Sequence, residues 1–137
     1  SGIQVHRSLG RYLYHGVLAL AENQRYQIAC VGNSSSGIKE TPVFGCPKVN
    51  IGSRQEGRLR GQNVVDVDYN IDNIVSVVKK CFYDEGFRDE CEATDNPYYL
   101  GDAGKKIANV LASTPLGQKI IRKKMTLRGE TKDGWYR

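Results

Sequence analysis

The chain has 137 residues, of which 39% are hydrophobic and 26% are charged, and its mean hydropathy is −0.49. This length suits one domain with a core of its own, and no apolar run approaches the roughly 20 residues that a membrane-spanning helix needs. No charged and then apolar leader opens the sequence. These features predict a cytoplasmic protein that makes no contact with a membrane.

The net charge of +5 is concentrated at one end of the chain. Residues 118–137 carry seven lysines and arginines against two carboxylates, so the remainder of the chain is neutral. A charged tail of this kind is usually a solvated segment. Its basic residues do not alternate with aromatic residues as they do on a nucleic-acid platform. The charge distribution therefore argues against a nucleic-acid partner.

Four cysteines have neither CxxC spacing nor histidine-rich surroundings, so a zinc site is not expected and no cofactor is predicted. Three of them lie in or beside predicted core elements, where an unpaired cysteine acts as a small hydrophobic side chain. Their pattern indicates a reducing compartment. The four are Cys30, Cys46, Cys81 and Cys91.

The first predicted elements are a short strand at residues 3–6 and an amphipathic helix from an N-cap at Ser8 to about Glu22. The apolar residues of the helix recur at a spacing of three to four, which predicts one buried face. That face consists of Leu9, Tyr12, Leu13, Val17, Leu20 and Ala21.

Strands and helices then alternate along the chain. The predicted elements are a strand at 27–31, a helix at 37–44 that stops at Gly45, a strand at 48–52, a polar loop at 53–62 and a strand at 63–67. Alternation at these lengths predicts an α/β fold with three layers, in which helices cover both faces of a parallel sheet.

A long helix capped by Asn70 follows and is predicted to end at Gly86. Residues 87–101 are predicted to be irregular. A further helix begins after a cap at Asp102 and reaches about residue 112, and a final basic helix restarts at Thr114-Pro115. The buried stripe of the long helix is predicted to be Ile71, Ile74, Val75, Val78, Cys81 and Phe82. The predicted domain covers residues 1–113, with a basic helix and tail at 114–137.

Two glycine-containing loops follow neighbouring predicted strands. Residues 32–40 read Gly-Asn-Ser-Ser-Ser-Gly-Ile-Lys-Glu, and residues 52–58 read Gly-Ser-Arg-Gln-Glu-Gly-Arg. A strand that ends in small hydroxyl residues and opens a helix presents unpaired N–H groups to an anion. Glu40 lies about two helical turns inward, within reach of a sugar hydroxyl, and Arg54 carries the planar fork that suits phosphate. The two loops predict a nucleotide diphosphate across the carboxyl ends of parallel strands.

These two loops resemble the hydrolysing branch of the UDP-N-acetylglucosamine 2-epimerases. That branch reads Gly-Asn-Ser-Ser-x-Gly-hydrophobic-x-Glu and then Gly-x-Pro-x-hydrophobic-Asn-hydrophobic-Gly-x-Arg-Gln-x-Gly-Arg, which residues 32–40 and 45–58 match. The non-hydrolysing branch has Asp-Ser-Gly-Gly in the first motif and lacks the Arg-Gln pair. Fainter matches near residues 8–12 and 96–102 extend the resemblance from Ser8 to Leu111.

The resemblance implies a partial Rossmann-like C-terminal domain of a two-domain, glycosyltransferase-B-like fold that binds UDP. Carried over by position, Ser34 and Ser35 would hold the diphosphate, Glu40 would accept from the ribose hydroxyls, and Arg54 would pair with phosphate oxygens. Arg58 is a further candidate. In the family, UDP leaves by elimination across C1–C2 of the sugar, and water is added to give free N-acetylmannosamine. That product is used for sialic acid and other surface polysaccharides.

The residues of these loops also have ordinary interpretations. Serines before a helix cap it more often than they bind phosphate, and a lone arginine is more often a surface residue; the match at the family positions reverses both preferences. Arg58 and Arg60 are evenly balanced between ligand contact and simple solvation. Ordinary structural roles are also the preferred interpretation of His6, His15, Asp66 and Asp68.

The residues that match the family do not include its N-terminal domain, in which family members carry the carboxylates that act on the sugar. We therefore expect a C-terminal piece without catalytic residues or turnover of its own, whether an expressed fragment, a split gene product or a remnant. Its expected partners are UDP or a UDP-amino-sugar, the missing domain or a second chain, and a further copy in a homo-oligomer. The alternative is a non-catalytic nucleotide-binding or assembly module, since an incomplete sheet exposes an unpaired edge.

Overall fold

The computed structural model describes residues 2–23, 25–117, 131–132 and 135–136. The chain divides into two compact units, Ser1–Leu100 and Gly101–Arg137, and the predicted domain boundary after residue 113 stays a prediction. The first unit contains helices α1 (Gly10–Ala19), α2 (Ser35–Lys39), α3 (Ile71–Tyr83) and α4 (Glu85–Glu92), with strands β1 (Cys30–Gly32), β2 (Lys48–Ile51) and β3 (Val64–Val67). Short 3-10 helices lie at Leu20–Glu22, Thr41–Phe44 and Ser53–Gln55.

The three strands of the first unit form a parallel sheet in the order β1-β2-β3. Cys30 lies beside Lys48, and Lys48 lies beside Val64. Because all three strands run in one direction, their carboxyl ends meet at one edge of the sheet. The predicted α/β class and parallel sheet are confirmed.

Different helices cover the two faces of the sheet. Side chains alternate along a strand, so Lys48 and its neighbour Cys30 lie on the face opposite Val49. The buried cluster on the Cys30 face consists of Leu18 and Ala21 from the α1 segment with Cys46. The cluster on the Val49 face consists of Val49, Cys81, Phe87 and Cys91, the last three from α3 and α4. These layers form the predicted α/β/α arrangement.

The cysteines are core residues, as predicted. None forms a disulfide, and Cys46, Cys81 and Cys91 are buried. Burial raises the pKa of the Cys46 and Cys91 thiols to about 12. These thiols are therefore protonated at neutral pH and act as small apolar side chains.

The predictions for the first helix are correct in position and wrong in detail. Residues 3–6 form no strand and expose their apolar side chains. The N-cap residue is Leu9, while the Ser8 hydroxyl accepts a hydrogen bond from the Gly10 N–H. The buried face is Tyr14, Leu18 and Ala21, whereas Tyr12, Leu13, Val17 and Leu20 are exposed. Two overlapping stripes exist on this helix, and only packing against Cys46 selects between them.

The predicted helix at 37–44 is two shorter helices. Helix α2 ends at Lys39 because Pro42 lies in the next turn and has no N–H to donate to residue 38. The 3-10 helix then ends at Gly45, as predicted, with φ of +59°. Strand β1 begins at Cys30 instead of residue 27, because β2 offers pairing partners only from Lys48 onward.

The helix capped by Asn70 ends at Tyr83 and not at Gly86. Asp84 accepts a hydrogen bond from the Phe87 N–H at 2.9 Å and so begins α4, most of which lies in the segment 87–101 predicted to be irregular. The sequence pattern does not predict α4, because only two of its residues are apolar and buried, and two are too few to show the periodicity of a helix. In α3 the Asn70 cap is confirmed, but Ile71 and Val75 are exposed.

The second unit contains helix α5 (Ala103–Ser113) and two short antiparallel strands, β4 (Thr131–Lys132) and β5 (Trp135–Tyr136). Asp102 stands at the predicted N-cap position, but its φ is +48° and its side chain makes no capping hydrogen bond. Residues 114–117 are not helical, so the basic helix does not restart at Pro115; residues 118–130 of that prediction lie outside the described residues. Among the helices in the described part of the chain, none has the length and apolar character needed to cross a bilayer.

Candidate functional site

The serine loop, residues 33–36, leads from the end of β1 into the first turn of α2. Ser34 is the N-cap of α2, and its hydroxyl oxygen lies 3.4 Å from the Ser36 backbone N–H that it accepts and 2.8 Å from the Ser36 hydroxyl. The capping interpretation of these serines is therefore correct as a local role. Ser34 is exposed and Ser35 half-buried, which leaves hydroxyl groups at the surface of the loop.

The turn after β2 contacts the serine loop directly. The Nη1 atom of Arg54 donates to the carbonyl oxygen of Asn33 at 3.2 Å, and the Nε2 atom of Gln55 donates to the same oxygen at 2.8 Å. Gln55 is buried, whereas Arg54 is exposed, so most guanidinium donors of Arg54 face solvent. The structure thus brings together the two loops that the sequence singled out.

Glu40 is the C-cap of the five-residue helix α2 and lies at the opposite end of this helix from the N-cap Ser34. It is not two turns inside a helix, as predicted, because α2 is shorter. One carboxylate oxygen of Glu40 lies 2.7 Å from Nε2 of His15 on α1. The imidazole also packs against Phe44, with ring centroids 5.6 Å apart.

A cavity of about 520 Å³ lies between the start of α1 and the serine loop, and both Ser36 and Glu40 line it. Tyr14 lines it too, and burial raises the pKa of this phenol to about 12 against the opposing effect of a hydrogen bond with Ser36. Other side chains in its wall come from the segment of α1: Ser8, Leu9, Arg11 and His15. A cavity of this size, with hydroxyls, a carboxylate and a guanidinium in its wall, suits a polar ligand with a ring.

Sequence reasoning missed the contribution of α1 to this cavity. In the sequence, His15 has no partner pattern, and Arg11 and Tyr14 belong to no recognisable motif. The available signal was their spacing, since Arg11, Tyr14 and His15 lie within one turn on one side of a helix. The competing apolar stripe obscured it.

The remaining candidates of the loop after β2 have different surroundings. Arg58 is exposed, and its role in ligand binding stays a prediction. Arg60 is paired with Asp66 and donates to the Gln55 carbonyl oxygen, so it braces the turn that carries Arg54. Asp68 accepts from the Asn70 N–H, which is the turn role preferred for it. No group of three or more potential metal ligands occurs in the part of the chain that the structure describes.

The comparison with protein families decides which family these loops belong to. Residues 1–112 match the family model described as UDP-N-acetylglucosamine 2-epimerase. The chain belongs to this family. The match includes both loops, the cavity and α5 up to residue 112, so the site is made of residues that the epimerase family model covers.

Curated relatives carry names from the same family. The chain is 46% identical over 63 residues to a GDP/UDP-N,N'-diacetylbacillosamine 2-epimerase (hydrolyzing) of Campylobacter jejuni. The aligned region covers 46% of this chain and 15% of that protein. It is 34% identical over 93 residues to the UDP-N,N'-diacetylbacillosamine 2-epimerase (hydrolyzing) of Legionella pneumophila, and the aligned region covers 68% of this chain and 23% of that protein. It is also 38% identical over 79 residues to the polysialic acid biosynthesis protein P7 of Escherichia coli, and the aligned region covers 58% of this chain and 20% of that protein. The chain therefore spans about a fifth of the length of these relatives.

Proposed function

We propose that this chain is the UDP-binding part of a hydrolysing UDP-amino-sugar 2-epimerase. The observation that carries the proposal is the hydrogen bond from the exposed Arg54 to the Asn33 carbonyl oxygen, which joins Arg54 to the loop that contains Ser34 and Ser35. Arg54, Ser34 and Ser35 would bind the diphosphate, and Glu40 would accept from the ribose. Arg58 is a further candidate for a phosphate contact.

These residues would assist the reaction by stabilising the leaving group. Negative charge develops on the diphosphate as the bond from C1 of the sugar to oxygen breaks. A fixed guanidinium and hydroxyl donors favour that charge without having to reorganise. They move no proton on the sugar, and we propose that the acid and base at C2 and C3 come from residues outside these 137 or from a second chain. Release of UDP from UDP-N-acetylglucosamine by this polypeptide alone, above a buffer control, would contradict that division.

The names of the relatives favour UDP-linked acetamido sugars as the substrate class. The product would then be a free 2-epimerised amino sugar, and the polysialic acid relative supports its use in a surface polysaccharide. The four cysteines without disulfides support a reducing compartment, which for this pathway is the cytoplasm.

Calorimetric titration of UDP into the 137-residue chain tests the proposal. In the described residues the cavity is lined from the α1 and α2 segments, and a ligand held from few sides binds weakly, so we expect a dissociation constant on the order of 1 mM, about −4 kcal/mol. Uridine should bind more weakly than UDP, because charge-assisted contacts to phosphate dominate. Absence of UDP binding at any practical concentration would contradict the proposal.

Glu40→Ala separates the ribose role from the phosphate role. We expect this change to weaken UDP binding by about 1.5–3 kcal/mol, the usual effect of losing a hydrogen bond to a charged acceptor. Inorganic pyrophosphate has no ribose, so its affinity should stay within about twofold. His15→Ala is the matched control, because it removes the partner of Glu40 and leaves the carboxylate in place. Equal losses for UDP and pyrophosphate in Glu40→Ala would remove Glu40 from the ribose role.

A second candidate function, that of an assembly module, is favoured by an exposed apolar surface near the N-terminus. An exposed apolar row lies on α1 and at the start of the following 3-10 helix, and Tyr12 in it is 90% exposed. The row consists of Tyr12, Leu13, Val17 and Leu20. Apolar rows of this kind often mark contact surfaces. Sedimentation velocity of the chain and of Leu13→Lys tests this: self-association that the substitution abolishes, together with no UDP binding, would favour assembly over nucleotide binding.

A further inference from the structure

Lys48 is a buried cation on the sheet face that lies beneath the serine loop. Its exposed fraction is 0%, and among the described residues no other lysine or arginine is buried. It begins β2 beside Cys30, and its side chain follows β1 toward the carboxyl edge of the sheet. There its Nζ atom donates to the carbonyl oxygen of Gly32 at 2.9 Å and lies 3.8 Å from the Cys30 sulfur.

Gly37 makes room for this ammonium group. A Cβ atom at residue 37 would lie 2.6 Å from Cε and 2.8 Å from Nζ of Lys48, closer than real contacts allow. The Lys48 ammonium therefore lies between Gly32 and Gly37, the two residues that bracket the serine loop. With a side chain at residue 37, the end of the Lys48 side chain would have to move from this position.

In the part of the chain that the structure describes, no carboxylate is seen paired with the Lys48 ammonium group. The ion pairs of His15 with Glu40 and of Arg60 with Asp66 do not involve Lys48, whose Nζ atom contacts the Gly32 carbonyl oxygen and the Cys30 sulfur. A carbonyl and a thiol offset only part of the cost of burying an ammonium group. An anion bound on the serine loop would offset more of it, because charges interact strongly across the protein interior.

We propose that Lys48 is a positioning residue for a phosphate-bearing ligand on the serine loop. Its buried positive charge attracts the phosphate, and its hydrogen bond to the Gly32 carbonyl oxygen fixes the start of the loop. The proposal rests on the proposed function for the location of the diphosphate. It adds a specificity determinant: Lys48 makes the site discriminate between nucleoside diphosphates and uncharged nucleosides. The proposal predicts that Lys48 raises the affinity for a ligand through the charge of its phosphate groups and not through its base or sugar.

The test compares Lys48→Met with Lys39→Met in the 137-residue chain. Methionine keeps most of the volume of lysine and removes the charge. Lys39 is exposed on α2, so its variant removes the same charge close by without changing a buried group. UDP, inorganic pyrophosphate and uridine are titrated into each chain by calorimetry. We expect Lys48→Met to weaken UDP and pyrophosphate by about 10-fold or more and uridine by less than about 2-fold, while Lys39→Met changes all three by less than about 3-fold.

Each other outcome has a defined meaning. Equal weakening of all three ligands, or no weakening, shows that Lys48 is only a structural residue and overturns the inference, while UDP binding to the unchanged chain still supports the proposed function. If the unchanged chain binds pyrophosphate and not UDP, the nucleotide function fails and the effect of Lys48 on phosphate is still measured. If it binds neither, both fail.

A measurement on the unchanged chain covers the case in which Lys48→Met does not fold. In a chain labelled with ¹³C-lysine, the Cε signal of Lys48 should shift on addition of UDP or pyrophosphate and not on addition of uridine. The Cε signal of the exposed Lys39 is the internal reference. A Lys48 signal that ignores both phosphate ligands at saturation would overturn the inference.

Discussion

Replacing Arg54 with alanine is expected to weaken UDP binding by about 1.5–3 kcal/mol, or roughly 10- to 150-fold. The guanidinium is held by the Asn33 carbonyl, so little side-chain freedom is lost when it pairs with phosphate. Its remaining donors face solvent beside the serine loop, where they can form a charge-assisted and bidentate contact. Uridine lacks phosphate, and its affinity should change by less than about twofold.

Two further variants make the Arg54 result specific. Lys79→Ala removes a positive charge from α3, on the opposite face of the sheet, and should leave UDP affinity nearly unchanged. Arg58→Ala tests the neighbouring candidate on the same loop. A loss comparable to that of Arg54→Ala would assign Arg58 to the phosphate site, and no loss would leave it a solvated residue. If Arg54→Ala and Lys79→Ala weaken UDP equally, the effect is general electrostatics and the contact assigned to Arg54 is wrong.

Gly45→Ala is expected to lower the free energy of unfolding by about 2–4 kcal/mol, measured by denaturant titration. Gly45 ends the 3-10 helix with φ of +59°, a conformation that costs an alanine about 1–2 kcal/mol. An added Cβ would also lie 2.9 Å from the Glu92 Cα in the backbone of α4, which cannot yield as a flexible side chain does. Part of the cost therefore comes from separating α4 from the turn before β2.

Gly57→Ala is the matched control for this clash. Gly57 has a similar φ of +75°, and an added Cβ would have no atom within 4 Å. Its cost should be the conformational part alone, about 1–2 kcal/mol. If both variants lose the same stability, the contact between Gly45 and α4 contributes nothing measurable.

Patterns confined to a few neighbouring residues predicted most of the fold. The strands at Lys48–Ile51 and Val64–Val67, the Asn70 cap and the stop at Gly45 all follow from local backbone preferences. The same holds for the placement of the serine loop and Arg54 after neighbouring strands. Local rules failed where two patterns overlapped on α1, and where α4 had too few apolar residues to show a period. At those places, burial against a distant partner decides the outcome.

The sequence by itself determined the family, the parallel α/β class and the two loops that meet at the edge of the sheet. Only the tertiary structure decided that Glu40 pairs with His15, that Arg54 and Gln55 share the Asn33 carbonyl, and that Lys48 is buried beneath the serine loop. The reason is physical. Local patterns arise from the conformational preferences of adjacent residues, whereas these contacts join residues 16 to 25 positions apart, and their existence depends on the path of the chain around the sheet.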